Sequence, residues 1–282
     1  MVRAAGKEDG NLKFAVPLAD GLTVEAVFYG SGTLCVSTQA GCALGCPFCA
    51  SGRKGFFRNL HFSEMISQLA GAGRDGCRVR RITLSGIGEP LLNWENVQAF
   101  LTFCRRQELP VSVTTVGRPL PLLQEMLNMD HNGVMVSIHA GTAATHRRLI
   151  PRGPDFNDLW RMLNRCVPQM SRRRRRQIGI NYLLLEGIND HPAEIRQLAS
   201  RMESLPEATL HLLECNPMPD RPFRSPGGEA RQEIFDYLAS RLTNVRRGNR
   251  WRKQAEGGCG TLLAAGPRAS VPAACEERNH LL

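Results

Sequence analysis

The chain has 282 residues, 42% of them hydrophobic, which is enough for one large α/β domain with a small appendage and a sizeable core. No apolar run of about eighteen residues occurs and the first ten residues are polar, so neither a membrane span nor a secretory leader is expected, and the chain is expected to work in the cytoplasm. Thirty-six Lys and Arg against 26 Asp and Glu leave a charge of +10, which favours a polyanionic partner, and ten cysteines in a reducing compartment argue for metal or redox chemistry over a disulfide framework.

In chain order, residues 1–30 read as a short β extension. Apolar, β-rich runs then predict buried strands at Thr33–Ser37, Arg81–Ser85, Val111–Thr115, Val134–Ser137, Ile178–Leu184 and Thr209–Leu213. Helical periodicity lies between them at Ser63–Ala72, with Ser63 as N-cap, Trp94–Arg106, Leu120–Asn128, Phe156–Met170, Pro192–Leu205 and Glu229–Leu242. Strand–helix alternation implies parallel strands with right-handed crossovers. The expected fold is therefore α/β, an open, partial (β/α)6 barrel over residues 31–263. Pro217–Gly228 is a Pro- and Gly-rich loop, and residues 264–282 read as a disordered tail in which Cys275 has no evident role.

Three basic groups stand out. Arg172–Arg176 read as a solvated helix end or loop. Arg147, Arg148 and Arg152 form a second group, and Arg246, Arg247, Arg250, Arg252 and Lys253 surround Trp251. Trp251 suits either RNA stacking or plain packing.

The run from Gly41 to Ala50 holds Cys42, Cys46 and Cys49 in the spacing C-x3-C-x2-C. Thiolates suit iron–sulfur clusters or zinc, and the spacing alone does not choose. Three ligands on a 4Fe–4S cluster would leave one iron open to a substrate. The alternatives are a zinc lacking its fourth ligand or three unrelated buried thiols. Other notable residues fall at carboxyl ends of the expected strands, where parallel barrels gather their chemistry. Cys35 lies in the first strand and Gly88-Glu89 follow the second. Thr114 is near the end of the third, Ser137-Ile138-His139 close the fourth, and Asn216 follows the sixth. Glycine at 88 allows close backbone approach, and Glu89 can accept from an ammonium, or the pair is an ordinary turn.

Phe48 directly before the last cysteine resembles the radical S-adenosylmethionine (SAM) superfamily. So does the ordered series of motifs. These are Gly32-Thr-Leu-Cys35-Val-Ser37, Gly55-Phe56 with Arg58-Asn59-Leu60, Gly88-Glu89-Pro90-Leu-Leu-Asn93, Ser137-Ile-His139-Ala140, Asn216-Pro-Met-Pro219 and Gly258-Cys259-Gly260. Together, from about residue 20 to residue 263, they look like the RNA methyl synthases that act on 23S rRNA adenine at carbon 2, with a sister group acting at carbon 8.

The resemblance implies that Cys42, Cys46 and Cys49 bind a 4Fe–4S cluster whose open iron holds SAM. It implies that Gly88, Glu89, Thr114, Ser137, Ile138, His139 and Asn216 contact SAM. Two SAM molecules serve each turnover: one methylates Cys259, and one, cleaved by an electron from the cluster, yields the radical that takes a hydrogen atom from that methyl group. The carbon then adds to adenine, Glu25 accepts the ring proton, and Cys35 releases the base as a transient disulfide with Cys259. A low-potential donor such as a flavodoxin would supply the electron, and RNA, most readily rRNA, would be the partner. The family's N-terminal helical accessory domain is expected to be absent, because only 41 residues precede Cys42. The family's Asp-rich stretch before the carrier cysteine is replaced by Arg252-Lys-Gln-Ala-Glu256. Competing readings are a radical-SAM enzyme acting on a protein or small molecule, and a zinc-bound RNA-binding protein without catalysis.

Overall fold

The structure is a computed structural model and describes residues 10–218, 221–253 and 260–264. The chain opens with a hairpin, β1 (Leu12–Pro17) and β2 (Thr23–Tyr29), which turns at Gly21 in the left-handed region. Then come β3 (Thr33–Val36), a short antiparallel ribbon of β4 (Gln39–Gly41) and β5 (Phe56–Asn59), and α1 (Phe62–Arg74). From there strands and helices alternate: β6 (Arg81–Leu84), α2 (Trp94–Arg106), β7 (Val111–Thr115), α3 (Leu120–Asn128) and β8 (Val134–Ser137). Three helices, α4 (Ala143–Leu149), α5 (Phe156–Cys166) and α6 (Arg172–Arg175), precede β9 (Ile178–Leu184). The chain continues through α7 (Pro192–Glu203), β10 (Thr209–Glu214), α8 (Gly228–Arg241) and β11 (Val245–Arg247).

Among the described residues nine strands form one open sheet in the order β1-β2-β3-β6-β7-β8-β9-β10-β11. From β3 to β11 every pairing is parallel, so seven parallel strands are present, one more than the sequence suggests. The antiparallel hairpin covers the β3 edge through Val27↔Cys35. All seven residues of β9 are buried, as expected of a parallel strand covered on both faces. Helices close over the sheet with apolar faces such as Phe156, Leu159, Trp160 and Leu163 of α5.

Several boundaries differ from expectation for local reasons. His61, not Ser63, stands before the first turn of α1, and Glu64 reaches back to accept from the His61 amide at 2.8 Å. Helix α5 ends at Cys166 because Pro168 has no amide to donate, and the chain tightens into a 3₁₀ turn over Val167–Gln169. The arginine run is a single helical turn capped by Ser171, so the solvated-helix reading is near the mark. Its donors serve the fold, however. Arg174 holds the Leu127 and Met129 carbonyls at the end of α3, and Arg175 pairs with Glu207 at 2.9 Å. Trp251 likewise packs. Its ring lies where a Cβ on Gly30 would be, 2.5 Å from the nearest ring carbon, with Arg250 over its plane at 4.6 Å. No helix among the described residues is long and apolar enough to cross a membrane.

Candidate active site

One cavity opens at the carboxyl ends of the parallel strands, and the cysteine loop forms one wall. The loop leaves β4 at Gly41, where φ is +79° and a Cβ would sit 2.1 Å from the Gly55 carbonyl, so the backbone fits only with glycine there. The Cys42 amide donates to that carbonyl at 3.0 Å, and the Cys49 amide to the Cys46 carbonyl at 3.0 Å. Arginines clamp the outside: Arg152 Nη1 donates to the Ala43 carbonyl at 2.7 Å, and Arg221 to the Pro47 carbonyl. The loop is also tied to a distant segment. The Ala50 amide donates to the Gly260 carbonyl at 2.6 Å, and Ser51 Oγ to the Leu262 carbonyl at 3.0 Å.

Cys42, Cys46 and Cys49 all line this cavity. Burial pushes the Cys42 thiol up to about 12, and burial followed by the neighbouring Cys49 and Cys42 pushes Cys46 up as well. With Cys49 beside them, these two raised thiols form a donor set that a cation would complete. Among the described residues no trio of His, Cys, Asp or Glu converges closely enough for a single metal ion. Three thiols on one wall of a cavity suit a polynuclear cluster, in which each meets a different iron.

The opposite wall comes from the strand ends. Gly88 has φ +104°, and a Cβ there would lie 2.5 Å from Gln39 Cβ. Its neighbour Glu89 is buried and accepts from the Leu91 amide at 3.2 Å, the Val116 amide at 2.9 Å and the Thr115 hydroxyl. Burial nevertheless raises its carboxyl to about 7, against the lowering pull of those bonds. Thr114 lines the cavity with a buried Oγ1 that has no hydrogen-bond partner among the described residues.

Beside it are Ser137 and, in register on β9, Asn181. His139 is held at φ +56°, a costly conformation for a residue with a side chain. Its Nδ1 accepts from the Leu183 amide at 3.0 Å, which leaves the ring proton on Nε2, and the ring meets Phe48 edge-on at 5.3 Å. Burial lowers its pKa to about 3, so it stays neutral. Asn216 completes this side after β10.

Of the residues singled out from sequence, Cys35, the three loop cysteines, Gly88, Glu89, Thr114, Ser137, His139 and Asn216 share the cavity. Ile138 does not. Its side chain is fully buried in the core, and its carbonyl faces His146 Nδ1 at 2.9 Å. Glu25 is also not among the lining residues. It pairs with Lys13 at 3.7 Å and accepts from the Leu263 amide at 2.8 Å. Cys35 is buried, with its Sγ 3.3 Å from Ser85 Oγ. Cys259 lies outside the described residues, so its expected disulfide with Cys35 is not described; its neighbour Gly260 lines the cavity. The polar lining residues that were not anticipated include Asn181, Thr115 and Cys215, and Arg252 of the basic group around Trp251 also reaches the cavity. Asn181 carried a signal, being the one strongly polar residue in the apolar run of β9.

Comparison with known proteins decides the family. The model of the radical SAM superfamily matches residues 36–199. The chain belongs to the radical SAM superfamily. Within it, the chain is 33% identical to a dual-specificity RNA methyltransferase RlmN of Halorhodospira halophila, over 90% of this chain and 73% of that protein. It is 34% identical to a probable RNA methyltransferase of Leptothrix cholodnii, over 91% of this chain and 74% of that protein. These matches place it in the RlmN-type branch. The crystal structure of a radical SAM methyltransferase from Sphaerobacter thermophilus superposes with a TM-score of 0.81 at 28% identity, covering 93% of this chain and 80% of that one. The cofactors of this radical SAM core are accordingly a 4Fe–4S cluster and SAM. The cavity suits both: soft sulfur donors on one wall, and on the other a carboxyl, hydroxyls and amides suited to a zwitterionic nucleoside.

Proposed function

We propose that this chain is a radical-SAM RNA methyltransferase that places a methyl group on an adenine carbon, with rRNA as the substrate, through a methyl group carried on Cys259. The observation that carries the reading is the convergence, in one cavity, of three loop cysteines, a further thiol at Cys35, and polar groups from four strand ends, with Gly260 beside the carrier at its edge.

In this reading Cys42, Cys46 and Cys49 hold the cluster. The cluster and SAM, when bound, supply an electron and the radical that removes a hydrogen atom from a methyl group. The chain supplies everything else. Glu89 accepts the amino group of SAM, helped by the glycine at 88 that lets the backbone approach. The hydroxyl of Thr114, together with Ser137, neutral His139 and Asn216, orients the rest of SAM. Ile138 acts through its backbone, as the residue that sets His139.

Carbon 2 or carbon 8 of adenine is a poor nucleophile, so a thiolate first displaces S-adenosylhomocysteine from one SAM, takes its methyl group and presents it to the base. Cys259 is that carrier. Cys35 resolves the bond between Cys259 and the base, and the two sulfurs close as a disulfide. Glu25, bonded to the segment that starts at Gly260, takes the ring proton. A low-potential donor of the flavodoxin kind delivers the electron.

The test is mass spectrometry of rRNA incubated anaerobically with reconstituted enzyme. Wild type is expected to add a methyl group to adenine. Cys259→Ala is expected to cleave SAM slowly and methylate nothing, and Cys35→Ala to accumulate a protein–RNA adduct. Normal methylation by Cys259→Ala would overturn the carrier role.

A further inference from the structure

Among the described residues three large apolar side chains are exposed: Phe56 at 44%, Phe57 at 41% and Leu263 at 37%. All three stand on segments that hold the cysteine loop. Phe56 is paired in register with Gly41, the residue before Cys42. Leu263 follows Leu262, whose carbonyl accepts from Ser51. Phe56 and Phe57 are neighbours in β5, and neighbours in a strand face opposite ways. An ordinary amphipathic strand buries one of two such residues. Here both are wet, so packing accounts for neither.

The stretch just before the two phenylalanines is basic. Arg53 and Lys54, both exposed, precede the pair across Gly55. Arg152, bonded to the Ala43 carbonyl of the loop, in turn accepts from Arg118 at its own carbonyl at 2.6 Å. Aromatic faces beside cations are what a flexible polynucleotide needs: rings for bases and cations for phosphates. The cavity is recessed at the strand ends, so a target base must leave its neighbours to enter, and those neighbours lose stacking partners.

We propose that Phe56 and Phe57, with Arg53 and Lys54, form a stacking platform for the single-stranded nucleotides that flank the target base. This rests on the reading of the chain as an RNA enzyme. The rings replace the stacking that the flanking bases lose, and the cations fix the backbone beside the cavity mouth.

The test uses the anaerobic holoenzyme and two probes, a labelled single-stranded oligoadenylate and deproteinised rRNA. Phe57→Ala and Phe56→Ala are each expected to weaken binding by roughly 5- to 150-fold. Phe57→Tyr should bind like wild type and Phe57→Leu should not, because stacking needs a π face. RNA-independent SAM cleavage driven by dithionite, the cluster absorbance and the melting midpoint should stay unchanged in all four. Wild-type affinity in both Ala variants, or in Phe57→Leu, would overturn the platform. So would Ala variants that bind RNA normally but lose reduction by a flavodoxin, since the patch would then be a protein contact. A wild type that binds and methylates no RNA would instead overturn the RNA reading itself, and the platform with it.

Discussion

The two ends of the parallel sheet treat charge in opposite ways. At the amino ends of β8, β9 and β10, arginines are used up inside the fold: Arg174 on two helix-end carbonyls, Arg175 on Glu207. At the carboxyl ends, polar groups face a cavity. Thr114 Oγ1 has no partner among the described residues, Glu89 is raised to about 7, and His139 is held at positive φ. A run of five arginines is the louder signal in the sequence, yet two of its members, Arg174 and Arg175, are spent on bonds within the fold. The quieter residues gather where a ligand would complete them.

The contrast can be broken at either end. The largest effect is expected from Cys46→Ala, which should drop reconstituted iron from about four per chain to below one and abolish methylation while the circular dichroism spectrum persists. Next, Glu89→Gln should weaken SAM binding by roughly 10- to 150-fold in equilibrium dialysis with the iron content retained. Unchanged affinity would make the Gly-Glu turn purely structural.

A smaller effect belongs to the amino end. Burial, then Arg174, lowers the His131 pKa to about 4 from an ordinary 6.5, and neither ring nitrogen has a partner among the described residues. The unfolded chain therefore binds a proton at higher pH than the folded one. The stability this histidine contributes is complete above pH 6.5 and is lost as the pH falls towards 4, on the order of 2–3 kcal/mol. Urea titrations of His131→Gln should be flatter across that window; an unchanged slope would refute the buried-neutral state. Least of all, Arg175→Met should cost at most about 1 kcal/mol, as partly exposed ion pairs do, and leave SAM cleavage untouched.

The sequence made the strands legible where apolar and β-branched residues run together, as in Val111–Thr115 and Ile178–Leu184. It did not reveal β4, β5 or β11, which are three or four residues long and rich in Gly, Asn or Arg. Their conformation is set by a neighbouring strand, not by local preference. The α4 helix was hidden because it is short, with only His146 and Leu149 buried. In the site, residues that belong to contiguous motifs could be read directly. Asn181 sits in a strand with no motif and reaches the cavity only because β9 lies beside β8. Ile138 shows the reverse: it sits within a motif, yet its side chain belongs to the core.

The bonds from Ala50 and Ser51 to Gly260 and Leu262 set a timetable for biosynthesis. The cysteine loop leaves the ribosome long before its anchors do, since Ser51 and Leu262 are 211 residues apart. Until those last segments arrive and the intervening strands have paired, the wall of the cavity is open on one side. Iron and sulfide delivered to a half-made chain would meet thiols on an untethered loop. Cluster insertion is therefore expected to come late, and a chain truncated before Gly260 should load iron poorly although every cluster cysteine is present.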